Sequence, residues 1–217
     1  MAPNGRTAYD ADTGYVGHGN VDVVDLVSHR VVRSVTVGEQ PAGLALSSNG
    51  QLLYVAIANL YLLTPHSSSS GEVEVINTSN AKLVASISVG MAPLFVSLSP
   101  NGHSLAVGDY GSDAITLVNL ASLGRRTYPM PGGAFGVAFS PDGSSLYVTG
   151  GSSSLLNFAL VQNTTSNTVS VVSVSTGRIT RRIHVPSDPT DVAVAGNGLG
   201  TCRERRLGSP GQPCTQL

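Results

Sequence analysis

Four copies of one short motif divide this sequence into repeating units. Each copy is a strand-like stretch followed by a polar turn that ends in glycine: LALSSNG at 44–50, VSLSPNG at 96–102, VAFSPDG at 137–143 and VAVAGNG at 192–198. The closing glycines lie 52, 41 and 55 residues apart. A repeat of about 40 residues with strand-forming content is typical of radial or stacked β architectures. The repeat constrains function much less, because repeat scaffolds serve many functions.

Alignment of the copies predicts four short strands in each complete unit. In the third unit they cover residues 94–99, 104–108, 114–119 and 124–130, and alternation such as EVEV at 72–75 indicates half-buried strands. The turn SPDG at 140–143 places Pro where φ is fixed and Gly where positive φ is needed. Four antiparallel strands in each repeat predict an all-β propeller of four-stranded blades. A solenoid has shorter repeats, and a sandwich would not repeat its turn sequence four times.

The predicted units cover about residues 1–38, 39–90, 91–131 and 132–186, with a partial unit at 187–198. The first unit begins within a blade, because APNG at 2–5 is similar to the turn that follows a first strand. The last unit has a first strand only, at 191–195. Two arrangements stay open: this strand closes a four-bladed ring against the first unit, or the chain is a fragment of a larger ring with open edges. We favour the fragment.

The segment 201–217 does not follow the repeat. It concentrates Arg, Gly and Pro and has no alternation, which predicts a disordered tail. The abrupt change suggests a shift of reading frame near Leu199. Cys202 and Cys214 are the only two cysteines and both lie in this tail, so they form no disulfide framework.

Several stretches resemble the YVTN-type β-propeller repeat. These are SSLYVTG at 144–150, LLYVA at 52–56 and NTVSVV at 167–172, whereas LAVG at 105–108 lacks the tyrosine. The resemblance covers about residues 7–198 and extends to the surface-layer, WD40-like and lactonase-like propellers. It implies a ring of seven blades in an exported bacterial or archaeal protein. We therefore expect an extracellular, periplasmic or cell-surface location, although no signal peptide is visible.

Composition excludes two classes of partner. Charged residues make up 12% of the chain, about half the usual ~25%, and the net charge is −1. Without a basic field we expect no nucleic-acid partner. No apolar run approaches the ~18 residues of a membrane helix, so we expect no membrane insertion.

The variation between units falls on one kind of connection. Insertions at 58–71 and 150–167 separate second from third strands, whereas the turns after first and third strands are short and uniform. In a propeller these insertions share a face with the inter-blade segments, so we expect a protein or small-molecule partner to bind there. Alternatively, their apolar residues only cover the scaffold beneath them. The candidate residues on this face are Glu39, Gln40, Tyr61, His66, Met91, Phe95, Tyr110, Phe135, Phe158, Asp188 and Asp191.

Catalytic chemistry has little support in the sequence. There is no G-x-S-x-G motif, no Cys-x-x-Cys-His motif and no metal-ligand spacing among the five histidines. We assign no catalytic residue, no metal ligand and no cofactor. The leading interpretation is a non-catalytic propeller scaffold for binding. The alternative is a lactonase-like or quinoprotein-associated propeller enzyme or subunit, which needs acids, bases or a metal converging in a pocket.

Overall fold

The computed structural model describes residues 1–13, 17–59, 70–131, 133–150, 152–154, 161–163, 167–185, 189–197 and 200–204. For 152–154, 161–163 and 200–204 it describes the backbone alone. Successive antiparallel sheets follow the chain, and the prediction of an all-β propeller with four-stranded blades is confirmed.

Blade 1 has three strands, and blades 2 to 4 have four each. Blade 1 contains β1 (Thr7–Asp12), β2 (His18–Asp25) and β3 (Arg30–Glu39); blade 2 contains β4 (Pro41–Leu46), β5 (Leu52–Ile57), β6 (Glu72–Asn77) and β7 (Lys82–Ser88). Blade 3 contains β8 (Pro93–Leu98), β9 (Ser104–Asp109), β10 (Ala114–Asn119) and β11 (Arg125–Pro129), with a 3-10 turn, η1 (Tyr110–Ser112), after β9. Blade 4 contains β12 (Val137–Phe139), β13 (Ser145–Thr149), β16 (Thr168–Ser173) and β17 (Ile179–His184).

Two further hairpins differ from the sequence prediction. The insertion at 150–167 contains β14 (Ser152–Ser154) paired with β15 (Val161–Asn163). At the end of the described chain, β18 (Pro189–Val194) pairs with β19 (Gly200–Glu204), although we expected a disordered tail from residue 201. An unpaired β18 would leave a row of backbone donors and acceptors without partners, and β19 satisfies one side of it. The rest of the expected tail, 205–217, lies outside the described residues.

The position of β18 also bears on ring closure. It hydrogen-bonds to β19 and lies beside β12 and β13 of blade 4. The first strand of a complete blade, such as β4 in blade 2, is its inner strand. Among the described strands, β1 pairs only with β2, so no inner strand completes blade 1. The four-bladed closure of β18 against blade 1 is therefore not formed in this structure.

Turn chemistry sets the hairpins. Asn49 is typical: its Oδ1 accepts hydrogen bonds from the Ser47 hydroxyl at 2.7 Å and the Gln51 amide at 3.0 Å, and Gly50 beside it has φ of 71°. Asn101 and Asp142 repeat the arrangement in blades 3 and 4. An Asx side chain followed by glycine explains why the turn motif recurs in the sequence.

Backbone hydrogen bonds place the connections on two opposite faces. Turns between third and fourth strands donate to turns between first and second strands, as from Thr78 N–H to the Gln51 carbonyl at 3.0 Å. We call this the turn face. The other connections also bond to each other, as from Ala58 N–H to the Gln40 carbonyl at 3.1 Å. We call this the loop face, and it carries both insertions.

The core lies between blades, so the middle strands are buried on both sides. Leu53 and Val55 face blade 1 and are 2% and 0% exposed, while Tyr54 between them packs toward blade 3. The expectation of half-buried strands was therefore wrong for these elements. Glu74, which alternates with Val73 and Val75, is buried too, because blade 1 covers its side of β6.

Alternation in the first three strands of each unit predicts fifteen core residues, and most of them are buried. Buried as predicted are Tyr54, Val73, Val75, Leu105, Val107, Val137, Phe139, Leu146, Val148 and Val169. The other five are half-buried: Leu44, Leu46, Val96, Leu98 and Val171. Four of these lie on inner strands, which border the centre of the ring. Val172 packs toward blade 3 with Leu146, whereas Val171 lies with its partner Tyr147 on the opposite side of blade 4, toward β18.

Candidate binding surface on the loop face

Three of the predicted residues form an aromatic cluster, which we define as Phe95, Tyr110 and Phe135. Phe95 lies on β8, Tyr110 begins η1, and Phe135 precedes β12. The ring centroids of Phe95 and Phe135 are 5.3 Å apart with planes tilted by 44°. Those of Tyr110 and Phe135 are 5.1 Å apart and edge-to-face at 84°. Both pairs have the spacing of favourable aromatic contacts.

Local sequence explains how the cluster forms between blades 3 and 4. Gly108 pairs with Phe95 across the sheet, and a side chain there would lie 2.4 Å from the Phe135 carbonyl oxygen. Glycine is therefore required for the two blades to approach. The short connection after β9 is fixed by bonds from the Tyr110 amide to the Ala92 carbonyl at 3.1 Å and from the Gly111 amide to the Met91 carbonyl at 2.9 Å.

The aromatic cluster reaches the surface only in part. Tyr110 is 4% exposed, whereas Phe95, Phe135 and the neighbouring Met91 are half-buried. The backbone of β14 lies beside η1, so the hairpin of the blade 4 insertion stands next to the cluster. The surface here therefore combines a rigid aromatic base with an adjacent, variable hairpin.

The remaining predicted residues are not part of this cluster. Glu39 and Gln40 lie at the connection from blade 1 to blade 2, one blade away, and both are half-buried. Gln40 has φ of 55°, and its buried Oε1 has no hydrogen-bond partner. Asp191 lies on β18 and accepts a hydrogen bond from the Val192 amide at 2.8 Å. Tyr61, His66, Phe158 and Asp188 lie outside the described residues.

Asp109 is the most perturbed carboxyl near the loop face. It is fully buried, and this burial raises its pKa to about 7, although the Thr116 hydroxyl and the Gly90 amide oppose the increase. Thr116 Oγ1 donates to Asp109 Oδ2 at 2.5 Å, and Oδ1 has no hydrogen-bond partner. A side chain on Gly90 would lie 2.6 Å from the Asp109 carboxyl carbon, so the carboxyl is sealed between blades 2 and 3. It ties two blades together and is closed to ligands.

No metal centre emerges from the described part of the chain. Within it, no group of three or more His, Cys, Asp or Glu residues is placed to hold a metal ion. The described residues also include no helix that is long and apolar enough to span a membrane. Cys214 and the side chain of Cys202 lie outside the description.

Comparison with solved structures supports the fold. The chain is similar to the hydrazine synthase of Kuenenia stuttgartiensis, with a TM-score of 0.72 and 24% identity over 97% of this chain and 56% of that one. It is also similar to the β-propeller domain of Cps50 (Swd1) from Myceliophteria thermophila, with a TM-score of 0.70 and 14% identity over 94% of this chain and 61% of that one. At these identities the likeness establishes a β-propeller fold and carries no function.

Two further facts limit the comparison. The chain spans less than two thirds of the length of both matched structures. No protein-family model matches the chain, and no curated protein sequence matches it. The resemblance to the YVTN-type repeat therefore stays a prediction.

Proposed function

We propose that this β-propeller is a non-catalytic binding scaffold that holds a protein partner on its loop face, around the aromatic cluster. The observation that carries the proposal is the cluster itself, since Phe95 and Phe135 present partly exposed rings on a rigid base. Aromatic residues are enriched in the centres of protein interfaces, where they bury large area at low entropic cost. A small-molecule site would need a deeper enclosure than these described residues provide.

We further propose that the protein works at the cell envelope or outside the cell. Its surface relies on Ser, Thr, Gly and Asn, because charged residues make up 12% of the sequence. The resemblance to exported propellers supports the same location. Fractionation of source cells with an antibody against the chain tests this proposal, and recovery in the cytosolic fraction alone would contradict it.

The binding role is tested by removing the variable part of the loop face. One variant replaces 60–69 and 152–163 with short Gly-Ser turns, and a second combines Phe95→Ala with Phe135→Ala. Wild type and variants are immobilised, and proteins captured from an extract of the source cells are quantified by mass spectrometry. We expect both variants to melt cooperatively and to lose a defined subset of the captured proteins.

The control is a variant of the opposite face. Arg178 is exposed near the turn between the last two strands of blade 4, so Arg178→Ala should capture the same proteins as wild type. Capture that survives both loop-face variants but is lost when the turn face around Asn101, Asp142 and Arg178 is changed would refute the proposal.

A further inference from the structure

A cleft of about 790 Å³ opens on the turn face between blades 1 and 2. Tyr9 and Arg33 line it from blade 1, Asn4 from the turn before β1, Asn49 from the turn between β4 and β5, and Thr78 from the turn between β6 and β7. The volume lies in the range of small-molecule sites. The cleft is on the face opposite the aromatic cluster and is independent of the protein-binding surface proposed above.

This junction departs from the repeat at Thr78, whereas the position of Thr7 is also polar in blades 3 and 4, where it is Ser104 and Ser145. Thr7 and Leu52 are equivalent, because they pair with Asp25 and Asn77, the last residues of β2 and β6. Thr78 and Leu120 are equivalent too, since their amides donate to the neighbouring turn at 3.0 and 2.9 Å. Between blades 2 and 3, Leu52 and Leu120 pack onto the apolar core. Between blades 1 and 2, both positions are threonine, and both line the cleft.

The polar groups of the cleft are held in place before any ligand arrives. Asn4 Oδ1 accepts the Arg6 and Thr7 amides at 2.9 and 3.2 Å, and its Nδ2 donates to the Thr7 hydroxyl at 3.3 Å. Thr78 Oγ1 donates to the Gly50 carbonyl at 2.6 Å, which leaves its oxygen free to accept. Fixed amide and hydroxyl groups reduce the entropy lost when a ligand with matching hydroxyls binds.

Arg33 gives the cleft its charge. It lies on β3 opposite Val23, and its side chain is exposed. Among the described residues its guanidinium has no hydrogen bond or ion pair, and no Asp or Glu lines the cleft. A guanidinium binds carboxylate and phosphate groups through paired hydrogen bonds. The Tyr9 ring adds an apolar wall on the same side.

We propose that this cleft binds a small hydroxylated anion of monosaccharide size. Arg33 binds the carboxylate or phosphate, Asn4, Asn49 and Thr78 bind hydroxyl groups, and Tyr9 contacts the apolar face of the ring. A sugar acid and a sugar phosphate share this chemistry, and the choice of probes separates them.

Isothermal titration calorimetry with glucuronate, glucose 6-phosphate, glucose and inorganic phosphate tests the site on the full chain. We expect saturable binding of glucuronate or glucose 6-phosphate, and at least about tenfold weaker binding of both glucose and inorganic phosphate. The acid that binds more tightly identifies the anionic group. Equal binding of glucose would overturn the role of Arg33, and equal binding of inorganic phosphate would overturn the role of the hydroxyl contacts. No saturation by either sugar anion at about 10 mM would overturn the site itself.

Variants locate the binding. Thr78→Leu installs the residue found at the equivalent position of blade 3 and fills the cleft, and Arg33→Gln removes its charge; each should weaken binding at least about tenfold. Thr78→Ser keeps the hydroxyl and should bind as wild type. Arg126→Gln is the matched control, because Arg126 pairs with Leu117 in blade 3 as Arg33 pairs with Val23 in blade 1. Binding that Thr78→Leu and Arg33→Gln leave unchanged, in variants that melt like wild type, would refute the assignment.

Discussion

Two buried carboxyls, Glu74 and Asp109, lie at the junctions between blades, and each lies beside a glycine at which a Cβ would meet a neighbouring side chain. Glu74 accepts a hydrogen bond from the Gly38 amide at 3.2 Å, and burial raises its pKa. Asp109 is sealed beside Gly90 with one oxygen unpartnered. A buried acid with an unpartnered oxygen is stabilised by protonation, so the stability of this protein should depend on pH near neutrality.

The Asp109→Asn variant tests this dependence. The pKa of Asp109 is raised from 3.8 to about 7 in the folded protein, so the folded state holds a proton that the unfolded state has lost between these values. The contribution of this proton to the free energy of unfolding is complete below pH 3.8. It falls by about 1.4 kcal/mol per pH unit as pH rises and is gone above about pH 7. We expect Asp109→Asn to gain stability over wild type from about pH 5 to 7, as measured by urea unfolding.

Asp142→Asn is the control with the opposite sign. Hydrogen bonds from the Ser140 hydroxyl and from Ser144 lower the pKa of Asp142 to about 2. The contribution of the Asp142 carboxylate to the free energy of unfolding is present above pH 3.8 and is lost as pH falls through about 2. The stability difference between Asp142→Asn and wild type should therefore stay constant from about pH 5 to 7. A constant difference for Asp109→Asn over the same range would contradict the sealed environment of Asp109.

Core packing between blades sets the cost of a single cavity. Phe139 is 7% exposed and packs in the cluster between blades 3 and 4. Phe139→Ala should lower the free energy of unfolding by about 3–5 kcal/mol, measured by urea denaturation. Leu83→Ala is the control, because Leu83 is 55% exposed and its loss should cost less than about 0.5 kcal/mol. A loss under about 1 kcal/mol at Phe139 would contradict the blade packing.

At the scale of elements, strands with strong turn signals were predictable and strands without them were not. Asn49 and Asp142, each followed by glycine, fixed where hairpins turn, and all twelve strands expected in blades 2 to 4 are present. The hairpin of β14 and β15 was missed because no such turn separates its strands. Strand β19 was missed because its partner β18, and not its own composition, places it in a sheet.

The two candidate surfaces also differ in how well the sequence predicts them. The loop face was predictable because insertions interrupt the repeat, and Phe95, Tyr110 and Phe135 come from such departures. Their mutual contact could not be predicted, since it depends on how closely Gly108 lets blade 4 approach. The cleft on the turn face was missed because its turns have ordinary lengths. The available signal was Thr78, at a position where the other units carry the apolar residues Leu26, Leu120 and Val174.

Two truncations test the element at the end of the chain. A chain that ends at Glu204 keeps β19, and a chain that ends at Gly200 removes most of it. Loss of β19 exposes the backbone edge of β18, whose Val192 packs on Val169 and Val185 of blade 4. We expect the shorter chain to melt several degrees below the longer one by circular dichroism. Equal melting temperatures would show that β19 does not stabilise blade 4, and would restore the expectation of a tail that begins at residue 201.

At the scale of the whole molecule, each blade packs against its neighbours, and the outer face of blade 1 is polar. Asp10 and Asp12 are exposed at the positions that Val55 and Ile57 occupy in blade 2, as the pairing with the adjacent strands shows. In blade 2 those positions are buried against blade 1. A polar face packs less readily against another sheet than an apolar face does.

Exchange of these two residues should change the assembly state. Asp10→Val with Asp12→Ile recreates on blade 1 the apolar face of blade 2. We expect the double variant to self-associate at concentrations where wild type does not, as measured by light scattering after gel filtration. Asp10→Asn with Asp12→Asn removes the charge without adding apolar area and should elute as wild type. Association of the asparagine variant would show that charge repulsion, and not polarity, prevents self-association through this face.

The equivalence of Thr78 and Leu120 has an evolutionary consequence. Both side chains occupy the same place at successive junctions, and the pairing between second and third strands has the same unbroken register in both blades. A lineage of such propellers can therefore open or close a cleft at any junction by one or two codon changes, without moving the backbone. Duplication of a blade copies a closed junction, and later substitution diversifies it. Relatives of this chain should differ in which junction is open more readily than in the number of their strands.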